Sequence, residues 1–393
     1  MHKEIVFLRG PDRIRLRPAV IFGSDDLDGV QQAVLAVLQL FAAQAQLGYC
    51  KHLQIRHNGA EVTIRADDPG LYLGQDTGND GAWQDLFCVP EPMPRSITDD
   101  PSYQFPLIHD IGNIFGNVQT PPATHLPQGM GAFDLCALQC ASRFLDVTVV
   151  KDGIQSTLHF RQGHNVGGIR HESTDAPNGT ALHFAMDPEV FRETVLPAAF
   201  FREGLTDLAM VCAGLRCSYI PEGCDREEVF FYPGGLADYA RSCCENPAVP
   251  IYHRKLNACG RERYNRPEYD ASVEIAIAFC QDGGLRRHLH NFRRLSQGGI
   301  HCRQIQRQLC RAIQIVFGVS IRASVLQQHL AIFTATRCPT VATVWENGTR
   351  QAIENKLIAD MAFDATGSSL ITFLLMHKKA LLPLVNTMAG KKV

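Results

Sequence analysis

With 393 residues, 45% of them hydrophobic and 20% charged, the chain has room for two or three ordinary domains and the composition of a globular protein. A formal net charge of -2 excludes a global attraction to nucleic acid or to an anionic membrane surface. Fourteen scattered cysteines without a C-x-x-C pair, and an opening MHKEIVFLRG that lacks an apolar signal core, point to reduced thiols and a cytoplasmic location.

In chain order, residues 1–30 read as an opening strand and turn. Residues 31–48, QQAVLAVLQLFAAQAQLG, predict a helix of about four turns, almost free of charge, closed by Gly48. The runs QIRH and EVTIRA then alternate like paired strands around Asn58-Gly59, a two-residue hairpin signal. Asp67-Asp68-Pro69-Gly70 must turn, and residues 75–107, with VPEPMPRS among them, form a Gly-, Asp- and Pro-rich connection of lid-like composition. A glycine-containing turn, QGMGAFD, precedes LCALQCASRF, which reads as an amphipathic helix. LDVTVV, QSTLHF and GTALHF read as strands, the last two separated by a polar loop.

A second domain is expected from about residue 245, giving domains of 1–244 and 245–393. There YDASVEIAIAFC alternates as a strand, CRQIQRQLCRAIQIVF as an amphipathic helix, and HLAIFTAT as a further strand. The apolar run from Leu370 to Met376 is interrupted by His377-Lys378-Lys379 and is too short to span a bilayer, so a packed C-terminal helix is expected and no membrane.

The order helix, hairpin, Asp-Asp-x-Gly turn resembles the nucleotide pocket of the gyrase, heat-shock chaperone, histidine-kinase and MutL (GHKL, or Bergerat) superfamily. Residues 8–23, LRGPDRIRLRPAVIFG, resemble the "L-x-G-L-D-x-V-R-x-R-P-x-M-Y-I-G" opening of DNA gyrase B and of the ParE subunit of topoisomerase IV. IHDIGN at 108–113 resembles "L-H-A-G-G-K", QGMGAFD the phosphate-cradling "G-G-L-H-G-V-G", and GTALHF "G-T-x-V-x-F". FFYPGGL at 230–236 resembles "F-x-Y-x-G-G-I", and NFRRLSQGGIH at 291–301 resembles "N-N-I-x-T-x-D-G-G-T-H". The resemblance covers nearly the whole chain. It implies an α+β fold: a Bergerat (GHKL) ATPase-like α/β sandwich followed by a ribosomal-S5-like transducer domain. The arm before Leu8 is shorter than the family's, which counts against an arm-swapped dimer.

The same resemblance locates where the chemistry changes. Without gaps, the family's general-base Glu falls on Ala36, its Mg²⁺-holding Asn on Leu40, and the Asp-Glu pair that follows on Ala43 and Gln44. The adenine-reading Asp falls on Ala66, with Asp67 one residue away. Alanine and leucine neither take a proton nor ligate a hard cation. In the phosphate turn Phe133 and Asp134 replace small neutral residues, and an acidic side chain there repels phosphate. The transducer's "Q-T-K" loop falls on 344–347, reading V-W-E-N, with Glu346 or Asn347 in place of the lysine. The Toprim metal site and DNA-cleaving subunit of a topoisomerase have no counterpart.

The expectation is therefore a pseudo-ATPase, neither ATPase nor topoisomerase, with no cofactor. Its former pocket would be lined by Ala36, Leu40, Ala43, Gln44, Ala66, Asp67, Asp68, Tyr72 and Phe133 and would take a small apolar ligand. The alternatives are a pocket collapsed into plain core and residual nucleotide binding without turnover. His109 and Asp110 are the acid–base candidates should the ligand be converted, for example cyclised or isomerised by a cofactor-independent enzyme. The rival is a protein-interaction module mimicking gyrase B, with a gyrase subunit or a second copy as partner. His288, His290, His301, Cys302 and Cys310 fit no standard zinc spacing, His301 matches the "G-G-T-H" histidine, and no metal is expected. Arg286, Arg287, Arg293, Arg294, Arg303, Arg307 and Arg311 read as a solvated basic face, and nucleic acid is not expected as a partner.

Overall fold

The computed structural model describes residues 8–73, 83–89, 132–224, 226–244, 246–280, 284–339, 342–346 and 351–390. They divide into two compact units, one ending at Phe231 and the other running on from Tyr232.

The first unit opens with two short helices, α1 (Asp12–Arg15) and α2 (Pro18–Phe22). This corrects the opening strand expected there, at least over residues 12–22. Pro18 sits in the first turn, where its fixed φ and missing N–H suit a helix start. The long helix α3 (Leu27–Gln46) begins four residues before the expected 31, because the Asp26 side chain accepts the Asp28 N–H and caps it. It ends as expected at Gly48, at φ +81°. The hairpin β1 (His52–Asn58) and β2 (Glu61–Ala66) pairs Leu53 with Ala66 and Asn58 with Glu61. Its turn is therefore Gly59-Ala60, one residue later than Asn58-Gly59, with positive φ at Gly59 alone, as in a type II′ turn.

After α4 (Gln84–Phe87), α5 (Ala132–Ala141) leads straight into β3 (Ser142–Lys151). From Leu135 onward α5 is buried on every side, because α1, α3 and α4 all pack against it. That corrects the amphipathic helix expected here. Then come β4 (Ile154–Arg161), β5 (His164–Asn165), β6 (Arg170–Ser173), β7 (Gly179–Met186), α6 (Ala198–Val211), β8 (Arg216–Ile220) and β9 (Glu228–Phe231). The described strands form one mixed sheet in the order β5-β4-β3-β7-β2-β1-β8-β9, with β6 also on β4. Only β1 and β8 run parallel along that path. Arg15 of the opening motif ties α1 to the end of β7, donating to Asp187 Oδ2 at 2.7 Å and to the Cys140 carbonyl at 3.0 Å.

The second unit comprises α7 (Leu236–Ser242), β10 (Tyr252–Gly260), β11 (Tyr269–Phe279), β12 (Arg286–His290), β13 (Arg293–Arg294), β14 (Gly298–Gly299) and α8 (Ile300–Phe317). It continues with α9 (Ala323–His329), β15 (Leu330–Arg337), β16 (Ala352–Ile353), α10 (Lys356–Ala365), α11 (Ser368–Met376) and α12 (Lys378–Met388). Its main sheet has the order β10-β11-β15-β12-β13, and β12 and β15 are parallel. The alternating apolar residues of β11 meet Ile305, Leu309, Ile313 and Val316 of α8 to make the core, which α10, α11 and α12 extend through Ile358, Leu370, Leu374 and Leu384. The stretch Lys356–Met376 is long and apolar enough to cross a membrane by length and composition, but it is broken at Gly367 and contributes to this core. None of the 14 cysteines is in a disulfide; eight are buried, and Cys224 and Cys259 are exposed.

Candidate functional site

Helix α3 carries the four expected pocket positions at the spacing of one helical face. Ala36 is half-buried, while Leu40, Ala43 and Gln44 are fully buried. Both amide atoms of Gln44, Oε1 and Nε2, lack a hydrogen-bond partner among the described residues. Leaving such a group unmet costs on the order of 1–3 kcal/mol.

The acidic turn after β2 splits into two roles. Asp67 is structural: its Oδ1 accepts the N–H groups of Lys51 and His52, both at 2.7 Å, and so fixes the start of β1. Asp68 is the buried one, at 2% exposure. Its Oδ1 accepts the Gly70 N–H at 3.0 Å and the Thr180 hydroxyl at 3.0 Å, and Oδ2 meets no described residue. Burial pushes this carboxyl up to about 7, against the lowering pull of Thr180 and the Gly70 N–H. Among the described residues, Oδ2 is thus left open to a further partner. Thr180 reaches it because β2 and β7 pair Ala66 with Thr180. The motif GTALHF contained Thr180, but its part in the site needed that strand pairing to be seen. Ala66 is nearly buried on the same pairing, and Tyr72 is half-buried.

His109, Asp110 and the turn at 128–131 lie outside the described residues, as does the side chain of Phe133. At the loop expected to carry the transducer lysine, Glu346 lies 3.7 Å from Arg303, which also pairs with Glu354. Asn347 lies outside the described residues. Of the basic stripe, Arg303 is thus engaged by carboxylates, and Arg287 lies over the Tyr239 ring at 5.3 Å. His288, His301 and Cys302, which no sequence spacing linked, are brought together; Cys310 is not in that cluster.

No protein-family model matches the chain. Among curated proteins it is similar to the B subunit of DNA gyrase from Clostridium acetobutylicum, 21% identical over 314 residues, covering 79% of this chain and 45% of that one. In structure it resembles the B subunit of DNA gyrase from Myxococcus xanthus, with TM-score 0.70 and 17% identity over 96% of this chain and 99% of the other. This is a gyrase-B-like chain. The 43K ATPase domain of Thermus thermophilus gyrase B, in complex with an aminocoumarin, gives TM-score 0.67 at 17% identity over 97% of this chain and 95% of that one. The gyrase-B-like chain therefore has the α+β frame of a GHKL ATPase domain with its transducer, and it spans about half the length of the curated relatives it matches.

Proposed function

We propose that this gyrase-B-like chain is a pseudo-ATPase whose former nucleotide pocket takes a small, largely apolar molecule. The carrying observation is the α3 face: Ala36, Leu40 and Ala43 offer no base and no oxygen ligand where the family mechanism needs both. The unmet atoms of Gln44 on that face, and of Asp68 in the turn after β2, favour a ligand with one or two polar groups over a pocket collapsed into plain core. The Thermus relative in complex with an aminocoumarin supports the idea that this frame accepts molecules other than nucleotides. Conversion of the ligand by cyclisation or isomerisation would need an acid–base group; Asp68, His109 and Asp110 are the proposed ones.

The test is a melting-temperature titration of the purified chain with Mg²⁺-ATP and with a panel of apolar compounds bearing one hydroxyl or carbonyl. A ligand at 100 times its Kd stabilises by about 2.7 kcal/mol. ATP at millimolar concentration should leave the melt unchanged, an apolar compound should raise it, and Ala36→Phe should abolish that rise. Stabilisation by micromolar ATP would overturn the proposal.

A second reading is favoured by a different observation. Phe363, Leu375, Met376 and Leu382 on the C-terminal helices are 43–71% exposed, more apolar surface than a lone helix end requires. On this reading the chain is an interaction module that binds a gyrase subunit or a second copy of itself. Sedimentation of the chain alone and mixed with gyrase subunits tests it; a monomer in both cases removes it.

A further inference from the structure

Three side chains from two elements of the second unit converge beside the sheet. His288 lies on β12, while His301 and Cys302 open α8, and their ligating atoms lie within 4.8 Å of one another. The strand β15, parallel to β12, sets Thr334 opposite His288. His288 Nδ1 lies 2.9 Å from the Thr334 hydroxyl, which leaves Nε2 for the cluster. A Cβ on Gly298 would stand 2.6 Å from Cys302 Sγ and 3.2 Å from His288 Cδ2, so the Nε2 edge of His288 and the sulfur border the same small space. His301 Nε2 is 3.2 Å from Cys302 Sγ and 3.3 Å from the same Thr334 hydroxyl, and the His301 Nδ1 is buried with no partner among the described residues. Two imidazoles and one thiol, the first held in place by a threonine through its other ring nitrogen, is the arrangement of a ligand set with its outer support.

We propose that His288, His301 and Cys302 form a three-coordinate site for a soft monovalent cation, Cu(I). Thiolate and imidazole suit soft and borderline metals, and charge decides among them. On binding, the Cys302 S–H bond breaks, the proton leaves to solvent and a sulfur–metal bond forms, with no change of oxidation state. Cu(I) with one thiolate is neutral. Zn²⁺ would leave one positive charge in the site near Arg286, with no carboxylate in the set, and the three residues would leave it one ligand short.

The reduced, full chain is equilibrated without oxygen against Cu(I) buffered by bathocuproine disulfonate, and against Zn²⁺ in parallel. Other thiols also take Cu(I), so the quantity read is the difference between wild type and Cys302→Ser or His288→Gln. Cys136→Ser, on α5, serves as the control. Wild type and C136S should each hold one equivalent that both site variants hold at least tenfold more weakly, with sulfur and nitrogen neighbours in X-ray absorption. Zn²⁺ should show no such difference. If either site variant melts well below wild type without metal, the other carries the comparison. Retention of the equivalent in C302S and H288Q, or a Zn²⁺ equivalent that depends on Cys302, would overturn the proposal.

Discussion

Asp68 and Arg15 show how single side chains make this frame testable. Because the Asp68 carboxyl titrates near 7 in the fold and near 3.8 in the unfolded chain, the folded state holds the extra proton between those values. Its contribution is therefore fully present below pH 4 and is lost as pH rises through 7. Asp68→Asn keeps the shape without the charge, so it should raise stability at pH 8.5 by on the order of 1–3 kcal/mol and change little at pH 4. Chemical denaturation at the two pH values reads this directly. Asp187 has the opposite sign: burial alone would raise it, but the Glu189 N–H and Arg15 hold it below the ordinary range. Removing the guanidinium in Arg15→Met should cost roughly 2–4 kcal/mol at pH 7, and Asp187→Asn in the same chain should recover part of it. The role of Asp68 was not legible in the sequence. The doublet Asp67-Asp68 offers two equal carboxylates, and only the pairing of β2 with β7 decides which one meets Thr180.

At the level of elements, the frame was legible wherever local signals agree. In α3 the charge-free run and Gly48 mark one helix, whose start the reading missed by passing over the Asp26 cap, and in β11 alternation marks a strand buried against α8. Signals failed where tertiary packing overrides them. The opening stretch read as a strand and turn, yet Pro18 and the tie of Arg15 to Asp187 accompany two short helices there. Helix α5 read as amphipathic, but its Gln139 side chain donates to the Gly163 carbonyl and is buried with the apolar residues around it. Backbone proximity gives the sharpest prediction here. Gly299, at φ +137°, pairs with Ile353, and a Cβ there would stand 2.2 Å from the Ile353 carbonyl oxygen. Gly299→Ala should cost about 3 kcal/mol or more, visible as a lowered denaturation midpoint with unchanged slope. Gly318, with open space around it, should tolerate alanine better, limited to the strain of its positive φ.

For the whole molecule, each unit has its own sheet and its own core, and the second is closed by helices that descend from a single apolar stretch. Independent cores predict a calorimetric melt with more than one transition, each with its own van't Hoff enthalpy. A segment of residues 232–393 should melt cooperatively at the temperature of one of them. A single two-state transition for the chain, with the segment unfolded, would contradict that division. The order of elements across nearly the whole chain was legible because many moderate motifs occurred in the right succession. Clusters such as His288 with His301 and Cys302 were not, since their members come from separate elements and only the β12–β15 register and the start of α8 bring them together.

The cysteines, buried for the most part and nowhere bridged among themselves, give the chain a built-in clock. A thiol folded into a core does not react with an alkylating reagent until the structure around it opens. Cys224 and Cys259 should alkylate first, and each later step in mass should mark the opening of a region: Cys136 and Cys140 for α5, Cys217 for the first sheet, Cys338 for the second. Added ligand would slow some of these steps and leave others untouched. The pattern of slowed cysteines would then map where an unidentified molecule binds before anyone knows what it is.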